Sequence, residues 1–466
     1  MTSDQQSSHH PIAVRGDAGV VQALNVSSGS VRDIIGQQTT YAFSAPPADP
    51  GALAAAEALL ARMPVDDKEP IPAPGRLAPC SYLHQLTPNP LFVGRDAELR
   101  ALARALRDQP GAVAVTTGIG GVGKTQLAIE VAHRYGPYFT GGVFWISFAE
   151  PAAVGTAIAR CGSRGLVDWR PDFGQLRPDE QIALVCAAWQ SPLPRLLIFD
   201  NCEDEELFQQ WRPPTGGCRV LVTSRRAVWG ATSGTVRHDL DTLARDASVR
   251  LLQSYRAEME QEAASKVAAV LGDLPLALHL AGSFLRRYRQ IPVDAYLDQL
   301  RTALISHPSL QGRGAERSPT RHELDVARTF ALSYNQLQPT DPVAATARAL
   351  LARAACLAPG EPIPRELLLA TLELPQDELD AALHAEDGLQ RLIELGLLDE
   401  ESENVLRLHR LVAAYAAHVS DVTQAREFGR AGGSRAGAKN DPGEYRAVSQ
   451  PSPARCAPAL CGTAGC

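Results

Sequence analysis

Residues 118–128, GIGGVGKTQLA, constrain this chain more than any other stretch. They satisfy G-x-x-x-x-G-K-[ST] through Gly118, Gly123, Lys124 and Thr125. The apolar β-branched run AVAVTT precedes them, and QLAIEVAHRY, apolar at helical spacing, follows. Strand, glycine loop and helix in that order let backbone N–H groups converge on a phosphate chain. Glycine has no Cβ to block the approach, and the first helical turn adds unpaired donors and the positive end of its dipole. In such a cradle Lys124 bridges the β- and γ-phosphates and the Thr125 hydroxyl sits on a Mg²⁺. Gly120, Gly121, Val122 and Gln126 are expected to complete the contacts to a bound nucleotide.

Four more apolar runs follow the loop: VFWISF (143–148), LLIFD (196–200), CRVLVTSR (218–225) and TVRHDLDTL (235–243). Helical patterns separate the earlier ones, and this alternation predicts a parallel sheet covered on both faces. From about residue 245 the strands stop, and apolar positions at three-and-four spacing predict a helical domain. A second helical block begins at VARTFALSYNQL and ends in ESENVLRLHRLVAAYAAH, where a turn and a short β-like run lead into a last helix, the order of a winged helix. The expected fold is therefore an α/β P-loop NTPase with a parallel five-stranded sheet, followed by a helical domain and a winged-helix domain. The boundaries expected are 1–88 for a leader with short β-like runs, a helix at 51–63 and a Pro-rich linker; 89–244 for the nucleotide-binding domain; 245–325; 326–420; and 421–466 for a low-complexity, disordered tail.

Composition narrows the function classes. The 466 residues suffice for about three domains, and 45% hydrophobic with 21% charged residues is a globular balance. A formal net charge of −7 gives no general reason for nucleic-acid affinity, so nucleic acid is not an expected partner. No apolar run of membrane-spanning length and no secretory leader is legible, which leaves a cytoplasmic protein with no membrane partner as the expectation. Nine scattered cysteines without a C-x-x-C pair read as reduced, small apolar side chains rather than metal ligands.

Two further positions carry expected chemistry. Asp200 ends the apolar run LLIFD, where an acid holds Mg²⁺ beside a phosphate loop, so Thr125 and Asp200 form the candidate metal pair. Asn201 follows, an amide that cannot take a proton from an attacking water; Glu203 and Asp204 are nearby acids, with solvated loop acids as the plainer reading. Slow hydrolysis is expected. Arg225, and less so Arg226, lie just past a strand on the edge where ligands of such sheets bind, placed to sense a γ-phosphate. Lys124, Asp200 and Arg225 are thus the candidate catalytic residues.

FVGRDAEL, the phosphate loop, LLIFDN, VTSR, GDLPLAL and RLHRLV occur in the order found in the STAND class of signalling ATPases, and the set resembles its NB-ARC branch over about residues 89–420. The resemblance implies that Val93, Gly94 and Arg95 line the adenine side, that Pro275 packs on the base, and that His409 reaches the β-phosphate of ADP from the winged helix. This chain has Asp273 where relatives often carry a second glycine, and Leu408-His409-Arg410 where the plant pattern is Met-His-Asp. The resemblance also implies ATP/ADP with Mg²⁺ as cofactors, a closed ADP state, and self-association after exchange for ATP. No effector domain before the linker and no repeat after the winged helix is recognisable. A DNA-binding regulator built on the winged helix and a continuously cycling ATPase are the alternatives.

Overall fold

The computed structural model describes residues 43, 45–83, 86–108, 111–226, 229, 235–313, 325–357, 360–372, 379–402 and 404–420. The β-like runs expected in the first 42 residues and the expected tail beyond 421 lie outside the described residues. In chain order the elements begin with α1 (Pro50–Ala61), α2 (Asp96–Asp108), β1 (Val113–Thr117), α3 (Lys124–Arg134), β2 (Val143–Ser147) and α4 (Val154–Cys161). They continue with α5 (Pro178–Trp189), β3 (Arg195–Asp200), α6 (Glu205–Trp211), β4 (Cys218–Thr223) and β5 (Thr235–Asp239). A helical stretch follows: α7 (Arg245–Tyr255), α8 (Gln261–Leu271), α9 (Pro275–Arg287), α10 (Val293–Ala303), α11 (Val326–Tyr334) and α12 (Pro342–Ala354). Last come β6 (Pro362–Pro364), α13 (Arg365–Ala370), α14 (Leu379–Glu394), β7 (Asp399–Ser402), β8 (Val405–Arg407) and α15 (Arg410–Val419).

All five expected strands form one parallel sheet in the order β2-β3-β4-β1-β5, with the loop-bearing strand between its neighbours β4 and β5. Both faces are covered because alternate residues of each strand enter different cores. Leu196, Ile198 and Leu221 join one core with α2 and α3, while Leu197, Phe199, Val220 and Val222 join the other with residues of α4, α5 and α6. Each such fully buried Leu, Ile or Phe contributes about 1.5–3 kcal/mol relative to exposure. The first of these cores runs on without interruption through α7–α9 and into α11, α12, α14 and α15, so the helical stretch shares its apolar interior with the sheet.

Local sequence sets the helix ends. Asp204 accepts from the N–H groups of Glu206 and Leu207 and starts α6, Pro275 occupies the first turn of α9, and Gly272 closes α8 in the left-handed conformation.

Two features differ from the expected pattern. The Pro-rich stretch expected as a linker is strapped onto the sheet domain: Gly75 N donates to His133 O at 2.9 Å, Arg134 donates to Pro72 O at 3.2 Å, and just beyond the stretch Tyr82 forms a parallel bridge with Phe144. Proline-rich composition looks the same in a free spacer and in an extended strap, and packing alone separates them. The short β-like run expected near the end is one strand of a three-stranded antiparallel sheet, β6-β8-β7. Pro362-Ile363-Pro364 carries no strand signal, but an edge position needs few N–H donors and accepts proline. The six cysteines among the described residues are all free, and no helix there is long and apolar enough to cross a membrane.

Candidate nucleotide site

The loop between β1 and α3 wraps one wall of a cavity of about 250 Å³. Positive φ at Gly118 (140°), Gly121 (82°) and Gly123 (100°) turns the backbone inward, and a Cβ on Gly118 would lie 2.5 Å from Leu240 O. The Lys124 ammonium folds back onto the loop, donating to Gly118 O at 2.6 Å and Ile119 O at 3.0 Å. Burial pulls its pKa down to about 8; Glu203 and Asp200 act against that fall and Arg225 adds to it.

Behind the loop, Asp200 Oδ1 accepts from the hydroxyls of Thr125 at 2.9 Å and Thr223 at 2.7 Å. The acid is buried and its partner hydroxyl faces the cavity, so one carboxylate and one hydroxyl oxygen stand together at the phosphate end. Among the described residues no group of three or more His, Cys, Asp or Glu could hold a metal by itself. Mg²⁺ beside phosphates asks for no more than one or two protein oxygens, and the Thr125–Asp200 pair meets that.

Of the candidate residues, Val93, Arg95, Gly120, Gly121, Val122, Gly123, Lys124, Thr125, Gln126, Arg225 and Pro275 all line the cavity. Arg95 is buried and structural in its contacts: it donates to Val122 O at 3.3 Å and Asp241 O at 2.5 Å and pairs with Glu98 at 2.8 Å, tying the strap at 89–95 to the loop. Gly94, within that strap but not on the cavity wall, adopts φ 70° and turns toward α7, where a Cβ would collide with Ala247 Cβ. Pro275 stands at the start of α9, and the next residue donates from Leu276 N to Gly121 O at 3.1 Å, so the helical stretch is hydrogen-bonded to the loop itself.

His409 is placed differently from its expectation: it is absent from the cavity wall, and its ring spans two backbones instead. Nδ1 accepts from Leu411 N at 3.2 Å, capping α15, which leaves Nε2–H to donate to Gly272 O at 2.9 Å. Burial lowers its pKa, in keeping with a neutral ring. Arg410 donates to Ala269 O at 2.5 Å, so both residues grip the end of α8, three residues ahead of Pro275.

Of the two acids read as solvated, Asp204 is exposed, whereas Glu203 is partly buried. Glu203 binds the residues after β4, and Asp204 caps α6. Arg226 pairs with Glu205 at 3.8 Å. Asn201 adopts φ 59° and accepts from Arg225 at 3.4 Å.

Several wall residues escaped the sequence reading. Tyr255 and His279, 2.5 Å apart from Oη to Nδ1, join α7 to α9 on the helical side. Thr329 and Leu332 of α11 close the cavity, and Thr329 Cγ2 sits 2.8 Å from where a Cβ on Gly120 would be. Their helical periodicity was visible, whereas the face turned to the loop is decided by tertiary packing.

No protein-family model matches the sequence. Among curated proteins, the regulatory protein AfsR of Streptomyces griseus is 33% identical over 367 residues, covering 75% of this chain and 34% of that protein. AfsR of Streptomyces coelicolor is 31% identical over 357 residues, 72% of this chain and 32% of its own. A nucleotide-binding leucine-rich repeat (NLR)-like protein of Hyaloscypha variabilis is 24% identical over 381 residues, 73% and 36% of the two chains. The chain spans about a third of the length of these relatives. Among solved structures, the Walker-type ATPase of Pyrococcus abyssi aligns over 72% of this chain and 98% of its own at 13% identity and TM-score 0.49. A STAND protein with a tetratricopeptide repeat sensor from Pyrococcus horikoshii aligns over 75% and 46% at 17% identity and TM-score 0.31. With its glycine loop, Asp200 and Arg225 set on the ends of one parallel sheet, its motif order, and its similarity to AfsR and the NLR-like protein, the chain is a STAND/NB-ARC-like P-loop ATPase.

Proposed function

We propose that this chain is an ATP/ADP-binding signal-transduction switch that opens and self-associates when ADP is exchanged for ATP. The units proposed are a nucleotide-binding domain at 89–244, a helical domain at 245–325 and a winged helix at 326–420. One observation carries the reading: the phosphate loop, α9 and α11 all contribute walls to the same cavity. A ligand touched by three units has a different affinity when one of them leaves, and only such a difference can drive a conformational equilibrium. Moving a mostly closed population to mostly open takes about 10⁴-fold, some 5.5 kcal/mol, of differential binding.

In this reading the loop N–H groups and Lys124 hold the phosphates, Val93 and Pro275 flank the base, and Arg225 answers to the γ-phosphate. Thr125 and Asp200 would hold Mg²⁺, which would supply neutralisation of the phosphate charge. Hydrolysis resets the switch slowly, because Asn201 offers no base and Asp200, Glu203 and Asp204 are already engaged. The relatives named as regulatory proteins accord with a signalling role. Basic residues of the last sheet and helix lend no support to DNA binding: Arg410 is spent on Ala269 O, and Arg407 stands opposite Asp399 in the ladder.

The test is the nucleotide that co-purifies. ADP at near one equivalent is expected from the wild-type chain and none from Lys124→Ala. Purification of the wild-type chain without nucleotide, together with no calorimetric binding of ADP or ATP, would contradict the proposal.

A further inference from the structure

Glu203 lies three residues past the acid that ends β3, and its carboxylate turns toward the chain leaving β4. It accepts from the backbone N–H of Arg225 at 3.0 Å to each oxygen, from the N–H of Arg226 at 3.0 Å, and from the Ser224 hydroxyl at 2.8 Å. The contacts to the Arg225 side chain are longer. Nε is 3.4 Å from Glu203, Nη2 is 3.4 Å from Asn201 Oδ1, and Nη1 is 3.5 Å from Ser333 Oγ on α11. The short bonds therefore fix the backbone at Arg225, while the guanidinium fork is held at the outer limit of hydrogen bonding. A fork so held, on the cavity wall, is ready to be drawn to a stronger anion that matches its geometry.

We propose that Glu203 is a positioning residue for Arg225: it anchors the backbone from which the guanidinium reaches a terminal phosphate, and so sets the preference for a nucleoside triphosphate over a diphosphate. The inference rests on the proposed reading of Arg225 as the γ-phosphate sensor. Diphosphate contacts come from the glycine loop, Lys124 and Thr125, none of which leans on Glu203 for a hydrogen bond. Its one link to them is electrostatic, since Glu203 helps to keep Lys124 charged, so at a pH well below that residue's pKa of about 8 the loss of Glu203 falls chiefly on Arg225. A displacement of about 1 Å in a positioned group is enough to cost an order of magnitude or more in a geometry-dependent contact.

The experiment measures dissociation constants of the full chain for ADP and for a non-hydrolysable ATP analogue, both with Mg²⁺, by calorimetry. Glu203→Ala is expected to weaken analogue binding about tenfold while ADP binding stays within about twofold, and Arg225→Ala to do the same. Glu203→Gln, whose amide oxygen still accepts N–H bonds, is expected to fall between them and wild type; it carries the test alone if the alanine variant does not fold. A wild-type ATP/ADP ratio in the Glu203 variants beside a collapsed ratio in Arg225→Ala overturns the role of Glu203 only. An unchanged ratio in Arg225→Ala overturns the sensor reading beneath it. Equal weakening of both nucleotides in Glu203→Ala means a general structural role and also overturns the proposal.

Discussion

At the scale of single residues, Lys124 carries the strongest pH dependence of the site. Its ammonium is buried on two loop carbonyls with a pKa near 8, so in the empty protein the proton is lost as pH rises through that value. A bound phosphate favours the charged form and returns the proton. Nucleotide affinity is then greatest below pH 8 and falls above it, by about tenfold between pH 7 and pH 9 for a one-proton dependence. Binding at pH 8 takes up about half a proton. Calorimetry in two buffers of different ionisation enthalpy reads that uptake directly, and Lys124→Arg, always charged, should show none. Asp273 illustrates the opposite use of a charge. It sits at φ 57°, where a β-carbon is disfavoured, and Arg245 holds its carboxylate with two bonds of 2.8 and 2.6 Å. The chain thus holds a left-handed turn with a charged, side-chain-anchored residue.

At the scale of elements, that turn and α15 are one mechanical unit. His409 caps α15 and donates to Gly272 O, and α9 begins three residues later with Pro275 on the cavity wall. Removing the imidazole costs the cap, about 1 kcal/mol, and the bond that keeps the end of α8 against the last helix. His409→Ala is therefore expected to raise the ADP off-rate about fivefold or more, without a direct phosphate contact being lost; stopped-flow exchange of a fluorescent ADP checks it, and an unchanged off-rate would detach His409 from the switch. What was legible beforehand follows the same division. The five strands and the loop could be read because their apolar runs and glycines are local in sequence. Asp200 was legible because it ends such a run. Thr329, Leu332 and the grip of Glu203 on Arg225 were not, because each joins residues more than twenty positions apart and depends on which face of a helix or loop the fold turns inward. The role of His409 was expected from a resemblance at the level of a motif, and a motif does not fix which neighbour a ring nitrogen meets.

At the scale of the whole molecule, the last small sheet rests on the phosphate loop. Gly396, in the turn between α14 and β7, would place a Cβ 3.1 Å from Arg225 O and 3.5 Å from Gly118 O. Three residues on, Asp399 opens β7 opposite Arg407, with Asp241, Asp239 and Lys124 as its other charged neighbours. Burial raises its pKa to about 7; Asp241 and Asp239 add to the rise, and Arg407 and Lys124 oppose it. Once undocked, Asp399 returns toward the ordinary carboxyl range near 4. The docked form then binds more protons between about pH 4 and pH 7, so docking is strongest at the acid end of that window and its proton-linked advantage is gone above it. His409 works the other way, since its lowered pKa makes the docked form bind fewer protons below about pH 6.5. Between pH 6.5 and pH 8 the carboxyl therefore dominates. Hydrogen exchange at 396–407, corrected for intrinsic rates, should give higher protection at pH 6.5 than at pH 8 in the wild-type chain. Asp399→Asn should give the same protection at both, and a wild-type profile that is already flat would remove Asp399 from the docking equilibrium.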